Sequence, residues 1–211
     1  MINVGLIGLG MAIKPHMQSV RELEAAGRIK LVGGFSPSAE RRAAFTKQWN
    51  APALGTQDEL IAKSDLVLIL SPPWTHLPLA EAVAKAGKHI LVEKPLEATT
   101  VRAEALASTA EVSGVLCGVV LQHRFRPASL RLKTAIDNGE LGKLLSASAS
   151  IRWWRDDAYF KTAGRGTKAR DGGGVLITQA THTLDLLLYL AGPVKEVTGF
   201  AFTSPIHDIE T

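Results

Sequence analysis

Three glycines near the start of the chain, Gly5, Gly8 and Gly10, have the spacing of a dinucleotide-binding turn. A tight turn between a strand and a helix places backbone amides against a pyrophosphate, where no side chain has room. The third small position of the pattern is occupied by Ile13. We predict that the pyrophosphate contacts Gly8, Gly10, Met11 and Ala12. A structural turn with no nucleotide would use the same glycines.

The segment after the second predicted strand, residues 35–38, carries no acid, although folds that prefer NAD place a carboxylate there for the ribose hydroxyls. Arg41 and Arg42 follow within the same short stretch. Ser36 and Arg41 are therefore candidate ligands of a 2′-phosphate, and the expected cofactor is NADP or NAD, with NADP favoured. Ser36 could also be the N-cap of a helix with Pro37 at its first position, and both roles are compatible.

Two more polar segments follow predicted strands, where a parallel sheet presents residues to a ligand. One is Ser71-Pro72 followed by His76, and the other is Glu93-Lys94-Pro95. We expect the cofactor to contact Ser71, Pro72, His76, Glu93 and Lys94. A single histidine such as His76 is equally explained as a hydrogen-bonded structural residue.

Apolar segments alternate with segments of helical spacing throughout residues 1–122. Strands are predicted over 2–7, 29–35, 66–70, 89–92 and 115–121. Helices are predicted over 11–26, 39–49, 57–62, 75–86 and 103–112. This alternation predicts an α/β fold, a doubly wound parallel sheet with right-handed crossovers, in a dinucleotide-binding domain that spans residues 1–122.

The pattern changes in residues 123–211, where helices are predicted over 127–138 and 175–190 and strands over 144–155 and 194–202. A sheet of two strands is marginal by itself and exposes its edges. We therefore expect a second α+β domain with an open-faced sheet that is incomplete in this chain. Either the chain is a fragment or a partner completes the sheet.

The composition excludes several classes of protein. Cys117 is the one cysteine among 211 residues, so no disulfide can form within the chain. No apolar stretch is long enough for a membrane span, and the first residues lack the basic leader of a signal peptide, so we expect a cytoplasmic protein with no membrane contact. The six histidines and the cysteine lack metal-ligand spacing, and no metal is expected.

The net charge of +4 is concentrated in residues 152–170, which hold six basic and two acidic side chains. A nucleic-acid surface usually spreads its basic residues along a face with interleaved aromatics. We therefore predict an anionic small ligand and no nucleic acid.

Taken together, these segments resemble the Gfo/Idh/MocA family of NAD(P)-dependent oxidoreductases, and the resemblance extends over essentially the whole chain. Singly most of the matching motifs are weak, but their combination is specific. They are Gly8-Leu9-Gly10, Ser71-Pro72 with His76, Glu93-Lys94-Pro95, residues 122–127, residues 138–142, and Gly172-Gly173-Gly174 leading to His182 and Asp185.

The resemblance implies that Lys94 and His182 are the catalytic residues. Oxidation of an alcohol needs a base within about 3 Å of the hydroxyl oxygen, and a lysine desolvated beside a positive nicotinamide can serve as that base. His182 would hold the same oxygen or relay the proton. A solvated loop lysine and a structural histidine are the alternatives.

The resemblance also implies a substrate side formed by the second domain. The expected substrate-binding residues are His123, Arg124, Trp154, Arg165, Thr178 and His182. Tryptophan stacks on sugar rings and arginine binds carboxylates or phosphates, which favours a sugar, a cyclic polyol or a related hydroxy compound. Thr178 stands where many family members carry an aspartate.

The family further implies a homo-oligomer, either a dimer or a tetramer. The expected activity is hydride transfer by a dehydrogenase or reductase that acts on CH–OH groups. A non-catalytic dinucleotide-binding regulator and a catalytically silent truncation are the alternatives, and the missing aspartate at Thr178 favours the regulator.

Overall fold

Five apolar segments form one parallel sheet in the computed structural model, which describes residues 1–161, 165–203 and 209. The strands are β1 (Ile2–Ile7), β2 (Ile29–Phe35), β3 (Leu66–Ile69), β4 (His89–Val92) and β5 (Cys117–Val119). Their order across the sheet is β2-β1-β3-β4-β5, and every neighbouring pair is parallel. The predicted doubly wound fold is confirmed, with β5 shorter than expected.

Five helices connect these strands: α1 (Ile13–Ala25), α2 (Ala39–Trp49), α3 (Gln57–Lys63), α4 (His76–Lys85) and α5 (Thr100–Val112). A short 3-10 turn, Pro73–Thr75, precedes α4. The Ser38 hydroxyl caps α2 by accepting a hydrogen bond from the Arg41 amide at 3.2 Å. The alternative that Ser36 is the N-cap is therefore wrong, because α2 begins at Ala39 and the extended Ser38 directly before it is the cap.

Successive side chains of each strand point to opposite faces of the sheet, and both faces are covered by apolar core residues. Ile7, Val67 and Ile69 belong to one core cluster, and Val4 and Leu6 belong to the other. Each fully buried aliphatic side chain contributes about 1.5–3 kcal/mol relative to exposure. The core thus fixes the carboxyl ends of the strands, where the polar segments begin.

The chain divides into two compact units, Met1–Val120 and Leu121–Thr211. The described elements of the second unit are helical. They are the 3-10 turn Gln122–Phe125, α6 (Pro127–Asp137), α7 (Asp157–Phe160), α8 (Lys168–Asp171), the π-helical turn Leu176–Ala180 and α9 (Thr181–Ala191). The predicted helix over 175–190 is thus divided by a wider turn at its start.

Two predicted strands of the second unit are not formed. Residues 144–155 and 194–202 are described, but neither segment is a strand. An extended segment becomes a strand only when a neighbour accepts and donates its backbone hydrogen bonds. Leu145 and Phe200 are 86% and 89% exposed, so neither is packed into a sheet face.

No helix among the described residues is both long enough and apolar enough to cross a bilayer. The same part of the chain contains no group of three or more histidine, cysteine, aspartate or glutamate side chains arranged to hold a metal ion.

Candidate functional site

The turn after β1 is shaped by Gly8. Its amide donates to the Phe35 carbonyl at 2.9 Å, and its φ of +101° lies in the region that favours glycine. A Cβ at this position would lie 2.6 Å from the Ser71 amide nitrogen. Gly10 differs, because a Cβ there would have no neighbour within 4 Å among the described residues. The turn therefore leaves open space in front of Gly10.

The N-terminus of α1 begins directly after this turn. Ala12 is its N-cap, no side chain of the described residues caps it, and its first turn holds no acid. Such a terminus presents backbone amides and the positive end of the helix dipole, which suits a phosphate. Ile13 is buried in the core, so its side chain does not crowd the turn, while Met11 is 67% exposed. The predicted phosphate-binding residues therefore fit a diphosphate.

Gly5 has a different role from the one that its spacing predicts. It lies within β1 and pairs with Gly33 of β2. A Cβ at Gly5 would meet the Ser64 hydroxyl and lie 2.9 Å from Leu60 Cγ. Gly5 is therefore required for close packing of α3 on the sheet and does not belong to the turn.

Several polar groups of the loop after β2 are hydrogen-bonded to other atoms of the same loop or of α2. The Ser36 side chain is buried and accepts a hydrogen bond from the Ser38 amide at 3.3 Å. Arg42 donates to the carbonyls of Ser36 and Pro37 at 2.5 and 3.1 Å. Arg41 is exposed at the start of α2. Arg42 stabilises the loop, and Arg41 is the more accessible of the two guanidinium groups.

His76, the first residue of α4, connects two loops at the candidate site. It is fully buried, with Nε2 at 2.8 Å from the Ser71 carbonyl and Nδ1 at 3.0 Å from the Leu96 carbonyl. Its ring therefore joins the loop after β3 to the loop after β4. The ring is thus engaged within the protein, and contact between His76 and the cofactor remains a prediction. The Ser71 hydroxyl lies 2.6 Å from that of Thr75, and Pro72 is exposed.

Glu93 and Lys94 follow β4 directly, and both are half-buried. Glu93 Oε1 lies 2.7 Å from His16 Nε2 of α1, and Oε2 accepts a hydrogen bond from the Lys94 amide at 2.8 Å. Burial opposes ionisation of Glu93, but these hydrogen bonds and the nearby His16 outweigh it and lower the pKa of the carboxyl. Glu93 thus holds the backbone at Lys94 in place.

His16 is a residue that sequence reasoning missed. It lies in the first turn of α1, close in sequence to the glycine turn, and this position is the one available signal. Its partner Glu93 is 77 residues away along the chain, so only the fold reveals the pair.

A second carboxylate fixes the loop that contains Lys94. Glu97 is buried, accepts from the amides of Leu77 and Ala98 at 3.1 and 2.6 Å, and forms an ion pair with Arg102 at 2.7 Å. Burial again opposes ionisation, and the bonds from Arg102 and the two amides lower the pKa of Glu97. Arg102 also donates to the Trp74 carbonyl at 2.9 Å. The loops after β3 and β4 are therefore joined by an ion pair whose carboxylate is buried and whose guanidinium is partly exposed.

In the second unit, His182 of α9 is 6% exposed, and its ring lies beside that of His123. The two ring centroids are 5.0 Å apart, and the planes are tilted by 33°. Burial and the positive charge of Arg126 lower the pKa of His123, although Asp185 acts in the opposite direction. The structure thus brings together two of the predicted substrate residues.

Arg124 forms a bidentate pair with Asp185, in which Nε donates to Oδ2 at 2.6 Å and a terminal nitrogen donates to Oδ1. Its guanidinium also stacks on the Tyr189 ring at 5.0 Å. Arg124 therefore ties the turn Gln122–Phe125 to α9. These bonds occupy the fork of donors that substrate binding would use.

Thr178 and Arg165 are joined through Tyr159, which sequence reasoning did not identify. The Thr178 hydroxyl donates to the Gly174 carbonyl at 2.7 Å and is also bonded to the side chain of Gln179. Gln179 Nε2 in turn donates to the Tyr159 hydroxyl at 3.2 Å, and Arg165 lies over the Tyr159 ring. The Thr178 hydroxyl, which was predicted to bind substrate, is therefore already hydrogen-bonded to the Gly174 carbonyl. Trp154 is 80% exposed and takes no part in this cluster.

Lys94 belongs to the first unit and His182 to the second. Their convergence on one substrate remains a prediction.

Comparisons with known proteins give the class of the chain. Residues 2–121 match the oxidoreductase family with an NAD-binding Rossmann fold, and residues 129–210 match the Gfo/Idh/MocA C-terminal domain. The chain belongs to the Gfo/Idh/MocA oxidoreductase family, which confirms the resemblance drawn from its motifs.

Two curated relatives are sugar or polyol dehydrogenases. Levoglucosan dehydrogenase of Pseudarthrobacter phenanthrenivorans is 29% identical, with 96% of this chain and 54% of that protein covered. The NAD-dependent scyllo-inositol 2-dehydrogenase of Bacillus subtilis is 27% identical, with 94% of this chain and 56% of that protein covered. The chain thus spans little more than half the length of these relatives.

Among solved structures, the WlbA dehydrogenase of Bordetella pertussis, in complex with NADH and UDP-GlcNAcA, is 29% identical and superposes with a TM-score of 0.85. This match covers 99% of the present chain and 62% of the other.

Proposed function

We propose that the protein is an NAD(P)-dependent oxidoreductase that transfers a hydride between nicotinamide and a hydroxyl-bearing carbon of a sugar, cyclic polyol or related compound. One observation carries the proposal: the open glycine turn before α1 and the Lys94 loop both follow strands of one parallel sheet, and the His16–Glu93 bond joins them. The activities named for the relatives agree with it.

The chemistry assigned to the chain is proton transfer. Bound nicotinamide would supply the hydride acceptor. In the oxidative direction the neutral Lys94 amine takes the hydroxyl proton, so that the carbon loses a hydride, the oxygen loses a proton and a carbonyl forms. In the reductive direction the Lys94 ammonium donates that proton to the carbonyl oxygen. His182 is assigned to hold the same oxygen.

The first unit is assigned to the dinucleotide and the second to the substrate and to contacts between subunits. Exposed Arg41 supports NADP, because a guanidinium near the end of β2 can bind a 2′-phosphate and no carboxylate in residues 35–38 repels one. The relatives named above include enzymes linked to NAD and NADH, so both cofactors need to be measured. A cytoplasmic location and a homodimer or homotetramer remain predictions.

A second candidate is a dinucleotide-binding regulator of the same fold that has no turnover. The observation in its favour is Thr178, where many family members have an aspartate. The Thr178 hydroxyl is bonded to the Gly174 carbonyl and cannot act as a base at neutral pH.

The two candidates separate in one experiment. Nicotinamide absorbance is followed with NAD and NADP against a panel of aldoses and cyclic polyols, for the wild-type chain, Lys94→Ala and the exposed control Lys85→Ala. We expect Lys94→Ala to lose turnover by at least ~100-fold while it keeps dinucleotide affinity, and Lys85→Ala to match the wild type. Turnover that survives Lys94→Ala contradicts the assigned base. Tight dinucleotide binding without turnover on any compound favours the regulator.

A further inference from the structure

Two arginines of the second unit share one aromatic ring. The guanidinium carbon of Arg165 lies 4.2 Å from the ring centroid of Tyr159, and that of Arg155 lies 5.0 Å from it. The negative face of the ring stabilises each cation. The two cations can be no farther apart than the sum of these distances, so their mutual repulsion favours an anion close to both.

Arg155 has a donor that lacks an acceptor. One of its terminal nitrogens donates to the Trp154 carbonyl at 3.3 Å, but Nε is buried and has no hydrogen-bond partner among the described residues. A buried guanidinium N–H is unfavourable unless a ligand or a water accepts its hydrogen bond. Carboxylates and phosphates are the acceptors that match this fork of donors.

One acid of residues 152–170 and the acid directly after this segment accept hydrogen bonds from backbone amides. Asp156 accepts a hydrogen bond from the Tyr159 amide at 3.0 Å, and Asp171 accepts one from the Gly166 amide at 2.7 Å. Residues 152–170 still carry an excess of four positive charges. The charge balance of the segment therefore suits an anionic ligand.

Tyr159 connects this cluster to the residues that precede His182. Its hydroxyl accepts a hydrogen bond from Gln179, which lies in the π-helical turn Leu176–Ala180. Helix α9, which carries His182, begins directly after that turn. An anion held over Tyr159 would thus be bound next to the element that is assigned to the substrate.

We propose that Arg155 and Arg165, positioned on Tyr159, bind an anionic group of the substrate, so that the substrate class is a sugar or polyol that carries a carboxylate or a phosphate. This inference rests on the proposed function for the statement that the ligand is the substrate. The binding of the anion itself does not depend on it.

Calorimetric titration of the full chain tests the proposal with four probes: glucose, glucuronate, glucose 6-phosphate and inorganic phosphate. Arg155→Gln is compared with Arg152→Gln, which removes the same charge from an exposed position of the same segment. We expect at least one of the charged sugars to bind more than 10-fold more tightly than glucose. Arg155→Gln should abolish this preference, Arg152→Gln should retain it, and added salt should weaken it. The stronger of the two charged sugars identifies the anionic group.

Equal affinity for the three sugars in the wild-type chain, or equal losses in the two variants, would overturn the proposal. Because the comparison of sugars uses the wild-type chain, it remains decisive even if Arg155→Gln fails to fold. Lys94→Ala is expected to keep the anion preference, since Lys94 lies in the other unit. Failure of the anion site and failure of hydride transfer therefore give different results.

Discussion

Nε2 of His16 lies 2.7 Å from Oε1 of Glu93, and this contact joins the helix after the glycine turn to the loop that carries Lys94. The second Glu93 oxygen accepts from the Lys94 amide, so both oxygens are engaged within the protein. The acid of the Glu-Lys-Pro motif was expected to bind the cofactor. In the structure it positions the lysine, and any contact with a cofactor must share these oxygens.

Replacement of Glu93 by glutamine is expected to lower stability at neutral pH by roughly 1.5–3 kcal/mol, the range for a hydrogen bond to a charged group. Because folding lowers the pKa of Glu93, the stabilisation is present above its ordinary value of 4.5 and is lost as the pH falls through the folded-state pKa. The effect is measured by thermal unfolding between about pH 3 and about pH 7, a range that includes the ordinary pKa of a carboxyl group.

Glu59→Gln is the matched control for this prediction. Its carboxylate is exposed and pairs with Lys63 at 2.7 Å within one helix, where such pairs contribute little. If the Glu93→Gln and Glu59→Gln variants lose the same stability on acidification, Glu93 does not hold the Lys94 loop.

Alanine substitutions at Gly8 and Gly10 should change the free energy of unfolding by very different amounts. Gly8→Ala forces a side chain into a positive φ and against the Ser71 amide, so we expect a loss of about 2–4 kcal/mol in the free energy of unfolding. Gly10→Ala meets no protein atom and should change stability by less than about 0.5 kcal/mol.

The same Gly10→Ala variant should lower dinucleotide affinity by at least ~10-fold, because a methyl group would occupy the space assigned to the pyrophosphate. Fluorescence titration with NADH and NADPH gives the affinities, and thermal unfolding gives the stabilities. If Gly10→Ala binds the dinucleotide with wild-type affinity, the diphosphate does not bind at this turn.

Arg41→Ala should lower the affinity for NADP relative to NAD by roughly 3–10-fold, since a surface ion pair with a phosphate contributes about 1 kcal/mol. Arg42→Ala is the comparison, because its guanidinium is bonded to the carbonyls of Ser36 and Pro37 and should affect mainly the stability of the loop. Binding of both cofactors to each variant is measured by titration. An unchanged NADP to NAD ratio in Arg41→Ala would end the preference for NADP.

His123→Phe should make the stability of the protein less dependent on pH. Burial and Arg126 lower the pKa of His123, so the folded state resists protonation and loses stability as the pH falls below the ordinary value of 6.5. Phenylalanine keeps a ring beside His182 but cannot be protonated. The melting temperature, measured above and below that value, should therefore fall less on acidification in the variant than in the wild type. Equal falls would show that His123 does not titrate between these conditions.

The first unit was predictable because its signals are local. The apolar segments 2–7, 29–35 and 89–92 are short and bounded by turn residues, as strands buried on both faces require, and the structure has strands with the same bounds. The chain order of strands and helices then fixed the edge of the sheet at which Gly8, Ser71 and Lys94 appear.

Contacts between distant residues were not predictable in the same way. The fully buried His76 and the partner of Glu93 depend on which loops the sheet brings side by side, and no local pattern encodes this. Arg124 was expected to bind a carboxylate or phosphate of the substrate. In the structure it binds the carboxylate of Asp185 in α9.

The amino-acid sequence alone determined the family, the parallel sheet and the positions of the glycine turn and Lys94, because hydrophobic periodicity and turn residues act over a few neighbouring positions. Tertiary structure alone decided which polar groups are engaged within the protein and which extended segments become strands. Residues 144–155 and 194–202 show why: an alternating pattern makes a strand only where a second chain segment completes its hydrogen bonds.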